Sequence, residues 1–138
     1  MTRFTVAFAL TLFLGAGCTG DIVDTVTTDY GNAVATTERA QSGDISARLT
    51  SPGSQHVLGA LDWNADSGQL DGIVEDQALS FTGTMQLAAM PMDDLSLFLY
   101  NVWEIEAGGS DTATCVSNDL LMCCRDGSWS CRARYAAP

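Results

Sequence analysis

Short runs in which apolar and polar residues alternate recur along much of the chain, and Gly, Asp, Asn and Pro separate them. Successive side chains of a strand point to opposite faces, so this pattern is typical of half-buried strands in antiparallel sheets. The runs that carry it are residues 44–50, 56–63, 69–74, 79–89 and 129–135. The sequence therefore predicts an all-β fold, a small antiparallel sandwich or barrel.

The clearest alternation lies in residues 79–89. One predicted face is apolar or small and the other is polar: Phe81, Gly83, Met85 and Leu87 against Ser80, Thr82, Thr84 and Gln86. In residues 129–135 the residues expected to face the core are Trp129, Cys131, Ala133 and Tyr135. Both segments are expected to be strands throughout.

Residues 93–109, DDLSLFLYNVWEIEAGG, fit two periodicities. Helical spacing connects Leu95, Phe98, Leu99 and Val102, with Asp93 as a possible N-cap. Two observations argue against a helix: many residues here are strand formers, and Glu104 and Glu106 lie where the helix dipole disfavours acids. Period two also fits, through Leu95, Leu97, Leu99, Trp103 and Ile105. We favour a central strand, apolar on both faces.

The first 17 residues have the features of an export signal. Arg3 precedes an uncharged apolar run at residues 4–14, and the small residues 15–17 follow it. Eleven apolar residues are too few for a permanent span, which needs about 20. We expect residues 1–17 to be a signal peptide that is removed.

The stretch Leu14-Gly15-Ala16-Gly17-Cys18 resembles the lipobox of bacterial lipoproteins, although Leu14 lies one residue further from the cysteine than in most members. The resemblance implies that Cys18 is acylated and becomes the first mature residue, which would attach the protein to a membrane of the cell envelope. Thr19 follows the cysteine, so the resemblance implies outer-membrane sorting, on the periplasmic or the surface face. Ordinary signal-peptidase cleavage near Gly17 is the alternative.

The cysteine count supports lipidation. The chain has five Cys, and if Cys18 carries lipid an even set of four remains, Cys115, Cys123, Cys124 and Cys131. A bridge between adjacent Cys123 and Cys124 is disfavoured by disulfide geometry, which leaves 115–123 with 124–131, or 115–124 with 123–131. The spacing does not match paired Cys-x-x-Cys zinc ligands, so disulfides that staple the C-terminal segment are expected.

Composition limits the remaining possibilities. Residues 18–33 begin with small and acidic residues and are expected to form a lipid-anchored tether, with one β-rich domain at residues 34–138. The chain has 17 acidic residues, six Arg and no Lys, for a net charge of −11. This charge repels phosphate backbones, so we expect no nucleic-acid partner.

Asp62, Asn64 and Asp66 occupy alternate positions, as at the start of a calcium-binding loop. The loop pattern then fails, because Ser67 holds the glycine position and Ile73 holds the position of the bidentate Glu. A hairpin turn is the preferred interpretation, since Asn, Asp, Ser and Gly favour tight turns. A weak calcium site at Asp62, Asn64 and Asp66 is retained as an alternative, and no other cofactor is expected.

Catalytic groups are sparse. His56 is the only histidine, and no G-x-S-x-G motif accompanies it. The acid pairs that a small hydrolase would need are Glu75 with Asp76, Asp93 with Asp94, and Glu104 with Glu106, which would share a face on a strand. Solvated charge is the preferred interpretation of these pairs, and core packing that of Trp63, Trp103 and Trp129.

The sequence thus predicts a lipid-anchored envelope protein that is not an enzyme and serves as a binding, adhesion or assembly module for an unknown protein or glycan partner. The alternatives are a calcium-dependent binder of carbohydrate or protein, a small hydrolase, and an inhibitor-like module that uses the loop at residues 115–131.

Overall fold

A computed structural model of the chain describes residues 21–108 and 114–134. Six strands come first: β1 (Ile22–Asp29), β2 (Val34–Ala40), β3 (Ile45–Thr50), β4 (Val57–Trp63), β5 (Leu70–Val74) and β6 (Gln77–Phe81). A 3-10 helix at Met85–Ala89 and the helix α1 (Met92–Gly108) follow. The described chain closes with β7 (Thr114–Ser117), β8 (Leu121–Asp126) and β9 (Ser128–Ala133).

The strands form two antiparallel sheets. The larger sheet has the order β1-β2-β3-β4-β5-β6, so each strand pairs with its neighbour in sequence, and the smaller has the order β7-β8-β9. The expected antiparallel, mostly β fold is confirmed. The runs at 44–50, 56–63 and 69–74 coincide with β3, β4 and β5 to within one residue at each end.

The larger sheet has one buried face, which we call the inner face, and one face open to solvent, the outer face. Cross-strand neighbours on the inner face pair large side chains with small ones, as in Leu49 with Gly59 and Ala47 with Leu61. α1 packs on this face, with contacts to β1, β2, β3 and β5. A Cβ at Gly59 would lie only 2.7 Å from Trp103 Cδ1, so glycine at this position lets the indole seat on the sheet.

Residues 93–109 were expected to be a strand, and this prediction is wrong, because Met92–Gly108 form α1. The buried residues of the helix follow helical spacing: Leu95, Ser96, Phe98, Leu99, Tyr100, Val102 and Trp103. The acids that disfavoured a helix have partners elsewhere in the fold. Glu106 accepts hydrogen bonds from Arg125 and Trp129, and Glu104 accepts one from Asn32 and lies 3.1 Å from the Tyr100 hydroxyl. These contacts offset the unfavourable position of the acids in the helix dipole.

The expected strand at 79–89 ends at Phe81. Thr84, assigned by alternation to the polar face, is fully buried. Its hydroxyl accepts a hydrogen bond from Trp63 Nε1 at 2.9 Å and donates one to the carbonyl of Gly68 at 2.6 Å. Gly83 has a φ of +87°, which turns the chain out of the sheet before the 3-10 helix. The apolar–polar alternation of the sequence continues after Phe81, although the backbone is no longer part of the sheet there.

Residues 18–33 were expected to be a tether, and part of this segment is a strand in the structure. Residues Ile22–Asp29 form β1, paired along its length with β2. The physical reason is the β-branched run Thr25-Val26-Thr27-Thr28, which favours extended backbone and matches the Thr-rich β2 across the pair. Residues 1–20, which include the predicted signal peptide and Cys18, lie outside the described part of the chain.

The disulfide-stapled C-terminal segment is confirmed, and of the two connectivities left open the structure has Cys115–Cys124 with Cys123–Cys131. Both bridges join residues that face each other across antiparallel strands. Cys123 and Cys124 are adjacent, so they point to opposite faces of the small sheet and each face carries one bridge. β9 covers the expected strand as far as Ala133, and Tyr135 lies outside the described residues.

The small sheet is attached to α1 through Glu106. Its Oε1 atom accepts hydrogen bonds from Arg125 Nε at 3.0 Å and from Trp129 Nε1 at 2.8 Å. The Glu106 side chain is only 11% exposed, so this charge-assisted contact is shielded from water. Trp129 also stacks on Phe81 of β6, with ring centroids 5.3 Å apart. Glu106 therefore links the small sheet to α1, and Trp129 links the small sheet to the larger sheet.

Replacing Glu106 by Ala is expected to lower the free energy of unfolding by about 1–3 kcal/mol, because the half-buried indole N–H of Trp129 loses its acceptor. Glu106→Gln keeps an acceptor oxygen and should cost about half as much. Urea unfolding followed by tryptophan fluorescence measures both. Equal losses for Ala and Gln, or no loss for Ala, would show that the carboxylate does not hold the small sheet.

Candidate functional site

A hollow lies on the outer face of the larger sheet, over β2, β3 and the loop that follows β3. We call it the outer groove, and its volume is about 680 Å³. Its lining is mostly hydroxyl, amide or charged: Val34, Thr36, Glu38, Ser46, Arg48, Thr50, Ser51, Gly53, Ser54 and Gln55. Alternation along β2 and β3 directs these strand residues to the side opposite the core. The groove is therefore a polar surface on a rigid base.

The wall of the outer groove is the loop between β3 and β4, which is held by its own hydrogen bonds. Ser51 N–H donates to the carbonyl of His56 at 2.9 Å and closes the base of the loop. Within it, His56 N–H donates to Ser54 Oγ at 3.1 Å. Gly53 has a φ of +76°, a conformation that glycine adopts without strain. The loop thus presents Ser54 and Gln55 beside the sheet as a shaped rim.

A second hollow, of about 570 Å³, lies on the same face over β4 and β5. Val57 and Ile73 are 50% and 60% exposed there, and Glu75 and Asp76 lie at the edge. These two acids form the turn between β5 and β6, both with positive φ, the conformation of a tight two-residue hairpin turn. His56 also lines this hollow and is exposed.

Asp62 faces Asp71 across β4 and β5 on the outer face. Burial raises the pKa of the Asp62 carboxyl above its ordinary value, a hydrogen bond with Ser46 lowers it, and the charge of Asp71 raises it again. Asp71 accepts hydrogen bonds from Gln69 Nε2 at 2.9 Å and from Ser80 Oγ at 2.7 Å. Two carboxylates are thus held as cross-strand neighbours by polar side chains.

Of the tentative calcium ligands Asp62, Asn64 and Asp66, Asn64 has its side-chain oxygen in use within the turn. Asn64 Oδ1 accepts hydrogen bonds from the N–H groups of Asp66 and Ser67, both at 2.9 Å, so it is used by the turn. Gly68 N–H donates to the Asn64 carbonyl, and Gly68 has a φ of +71°. In residues 21–108 and 114–134 no three His, Cys, Asp or Glu side chains are grouped as metal ligands would be. The turn at 64–69 is built as the sequence predicts, and calcium binding stays a prediction.

The acid pair Glu104 and Glu106 does not share a face, as it would on a strand. Two residues apart on a helix, the side chains diverge: Glu106 lies against Arg125 and Trp129, and Glu104 lies beside Asn32 and Tyr100. Asp93 and Asp94 lie in the first turn of α1, where acids are favourable to the helix dipole. None of the three sequence-predicted pairs lies in the outer groove.

Sequence reasoning missed a polar cluster at the β1–β2 turn. The Tyr100 hydroxyl donates to Asn32 Oδ1 at 2.5 Å and lies 3.1 Å from Glu104 Oε2. Tyr30 stacks on Tyr100 with centroids 4.2 Å apart, and its hydroxyl lies 2.9 Å from the buried Ser96 Oγ. Burial, followed by the hydrogen bond to Glu104, raises the pKa of Tyr100. The i to i+4 spacing of Tyr100 and Glu104 is a signal for this cluster only once the segment is known to be helical.

The tryptophans are not arranged as an open ligand platform. Trp63 and Trp103 are buried in the core, and Trp129 is half-buried against Phe81. The large apolar side chains that are exposed in the described part of the chain are aliphatic: Ile22, Val23, Val57, Ile73, Met85 and Leu97. The expectation that Trp63, Trp103 and Trp129 pack in the core agrees with the structure, with Trp129 the least covered of the three.

Neither a scan against protein-family models nor searches of curated proteins and solved structures returned a match to this chain. Over the described residues, no helix combines the length and the apolar character required to cross a bilayer.

Asp62→Asn is expected to raise the free energy of unfolding at pH 7 and to have little effect at pH 3. Burial raises the pKa of Asp62 in the folded state, so its charged carboxylate opposes folding at pH values above its ordinary pKa of 3.8, and this penalty vanishes where the group is protonated in both states. Urea unfolding at the two pH values measures the difference. Asp66→Asn, at an exposed turn position, serves as the control and should change little at either pH. A gain at pH 3 equal to that at pH 7 would contradict the electrostatic origin.

Proposed function

We propose that this chain is a lipid-anchored protein of the bacterial cell envelope, attached through Cys18, and that it acts as a non-catalytic binding module. In this proposal the outer groove is the binding surface and a segment of another protein is the partner. Residues 1–17 are its signal peptide, and the membrane contact is the acyl group on Cys18.

The observation that carries the anchor is the pairing of the cysteines. Cys115, Cys123, Cys124 and Cys131 are joined to one another in two disulfides, so Cys18 has no cysteine of the chain left to pair with. Disulfides persist in oxidising compartments outside the cytosol, where an unpaired thiol is open to oxidation and mixed disulfides. A thioether bond from Cys18 to a lipid would leave no free thiol there to be oxidised. It also fits the apolar run and the small residues that precede it.

The start of the sheet sets the distance from the anchor. β1 begins at Ile22, so only residues 19–21 separate Cys18 from the first strand. The four Cα–Cα steps from Cys18 to Ile22 span at most about 14 Å when fully extended. A protein anchored at Cys18 would therefore carry its sheet close to the membrane surface, with the start of β1 near the lipid.

The chemistry of the outer groove favours a polypeptide partner. Hydroxyl and amide groups on its floor and rim suit the backbone and polar side chains of an extended peptide, and Glu38 and Arg48 offer both signs of charge. Sugar-binding surfaces usually add an aromatic ring as a stacking platform, and the lining of the groove has none. The acid pairs that hydrolysis would use either diverge, lie on a hairpin turn or begin α1, and none lies in the outer groove, which further favours binding over catalysis.

Mass spectrometry of the protein from its native membrane tests the anchor. The mature chain is expected to begin at Cys18 and to carry a diacylglycerol on that sulfur, and Cys18→Ser should remain uncleaved or leave the membrane fraction. Cys115→Ser with Cys124→Ser is the matched control, since it removes a disulfide and leaves the lipid in place. A mature chain with an unmodified Cys18 would refute lipidation while leaving the outer groove to be tested by itself.

A further inference from the structure

β1 is an edge strand whose second edge pairs with no other element of the described chain. Its residues from Ile22 to Thr25 are all exposed, with Ile22 at 41% and Val23 at 55%. Unpaired backbone N–H and C=O groups on such an edge are a template for another strand. The opposite edge strand, β6, differs because it contacts β9 of the small sheet.

The hydrogen bonding of the β1–β2 turn indicates which backbone groups of β1 point outward. Tyr30 N–H donates to the carbonyl of Ala33 at 2.9 Å, so Tyr30 is directed toward β2. In an antiparallel pair the backbone groups of successive residues alternate in direction. Val26 and Thr28 therefore bond to β2, and Thr25 and Thr27 present their N–H and C=O groups to the open edge.

This edge carries few of the devices that prevent strand pairing. Natural edges are commonly blocked by Pro, by charged side chains and especially Lys, by bulges or by a covering element, and of these β1 has Asp24, Asp29 and one bulge. β1 has no Pro or Lys, and its centre is the β-branched sequence Thr25-Val26-Thr27-Thr28. The irregularity in register that it does have lies at its start, between Ile22 and Asp24. Thr25 to Asp29 are in regular register with β2, and within residues 21–108 and 114–134 no strand pairs with their other edge.

We propose that β1 of one molecule pairs antiparallel with β1 of a second copy about a two-fold axis. Centring the pair on Val26 sets Thr25 opposite Thr27 of the other copy, in the positions whose backbone groups point outward, and sets Asp24 opposite Thr28. No Asp then lies opposite another Asp. A centre at Thr25 would instead place Asp21 against Asp29. Centred on Val26, the strand pairs its outward backbone groups with those of its copy and sets no two like charges directly opposite each other.

The pairing merges two six-stranded sheets into one continuous sheet, with both outer faces on the same side. The two outer grooves, over β2 and β3 of each copy, then lie on either side of the two-fold axis. Each copy has a net charge of −11, so long-range repulsion opposes the pairing and added salt screens it. Dimerisation that strengthens with salt is therefore expected.

Sedimentation equilibrium of the full chain in a mild non-ionic detergent tests the proposal with Thr25→Pro and Thr25→Ala. Proline removes the outward N–H of residue 25 and leaves the bonds to β2, whereas alanine retains that N–H. Because both copies carry the substitution, Thr25→Pro removes two hydrogen bonds per dimer. The dimer dissociation constant is expected to rise by roughly 30-fold or more for Thr25→Pro and to stay near that of the wild type for Thr25→Ala.

Thr27→Pro with Thr27→Ala repeats the comparison at the other outward position, in case Thr25→Pro does not fold. Selective loss of dimer in the proline variants, together with tighter dimers in about 1 M salt than in about 0.01 M salt, supports the β1 interface. A wild-type chain that stays monomeric at high salt and about 1 mM protein overturns it. Equal dimerisation of folded Pro and Ala variants also overturns it, since the contact then lies elsewhere.

Discussion

The packing of α1 on the inner face of the six-stranded sheet is the contact on which the rest of the structure depends. The buried apolar residues of the sheet lie on its inner face, and without a second layer that face would be exposed to water. Leu95, Phe98, Leu99 and Val102 of the helix provide this layer and are all buried. Full burial of such a side chain is worth about 1.5–3 kcal/mol, so these four residues together contribute more to the free energy of unfolding than any single polar contact in the molecule.

The same packing accounts for where the polar features lie. A helix on one face leaves the outer face free of packing requirements, and hydroxyl and charged side chains follow β2 and β3 there. The C-terminal end of α1 brings Glu106 to Arg125 and Trp129, which attaches the disulfide-bonded sheet. The proposed functions use the outer face of the larger sheet, opposite α1, and the edge of β1 that pairs with no strand of the described chain.

The sequence predicted what depends on local pattern and failed where distant partners decide. Alternation located β3, β4 and β5, and cysteine spacing reduced the disulfide pairings to two. The helix was missed because Glu106 looked unfavourable near a C-terminus until Arg125 and Trp129 were known to lie beside it. The end of β6 was missed because Thr84 is a polar residue buried by two specific hydrogen bonds. The outer groove had no sequence signal, since its lining comes from ordinary residues of two strands and a loop.

Two leucines of α1 test its packing on the inner face most directly. On a strand Leu97 and Leu99 would share a face, whereas on the helix Leu99 is 1% exposed and Leu97 is 47% exposed. The measurement is the free energy of unfolding of Leu97→Ala and Leu99→Ala by urea titration. Helix packing predicts a loss of about 2–5 kcal/mol for Leu99→Ala and about 1 kcal/mol or less for Leu97→Ala. Equal losses at the two positions would contradict the seating of α1 on the sheet.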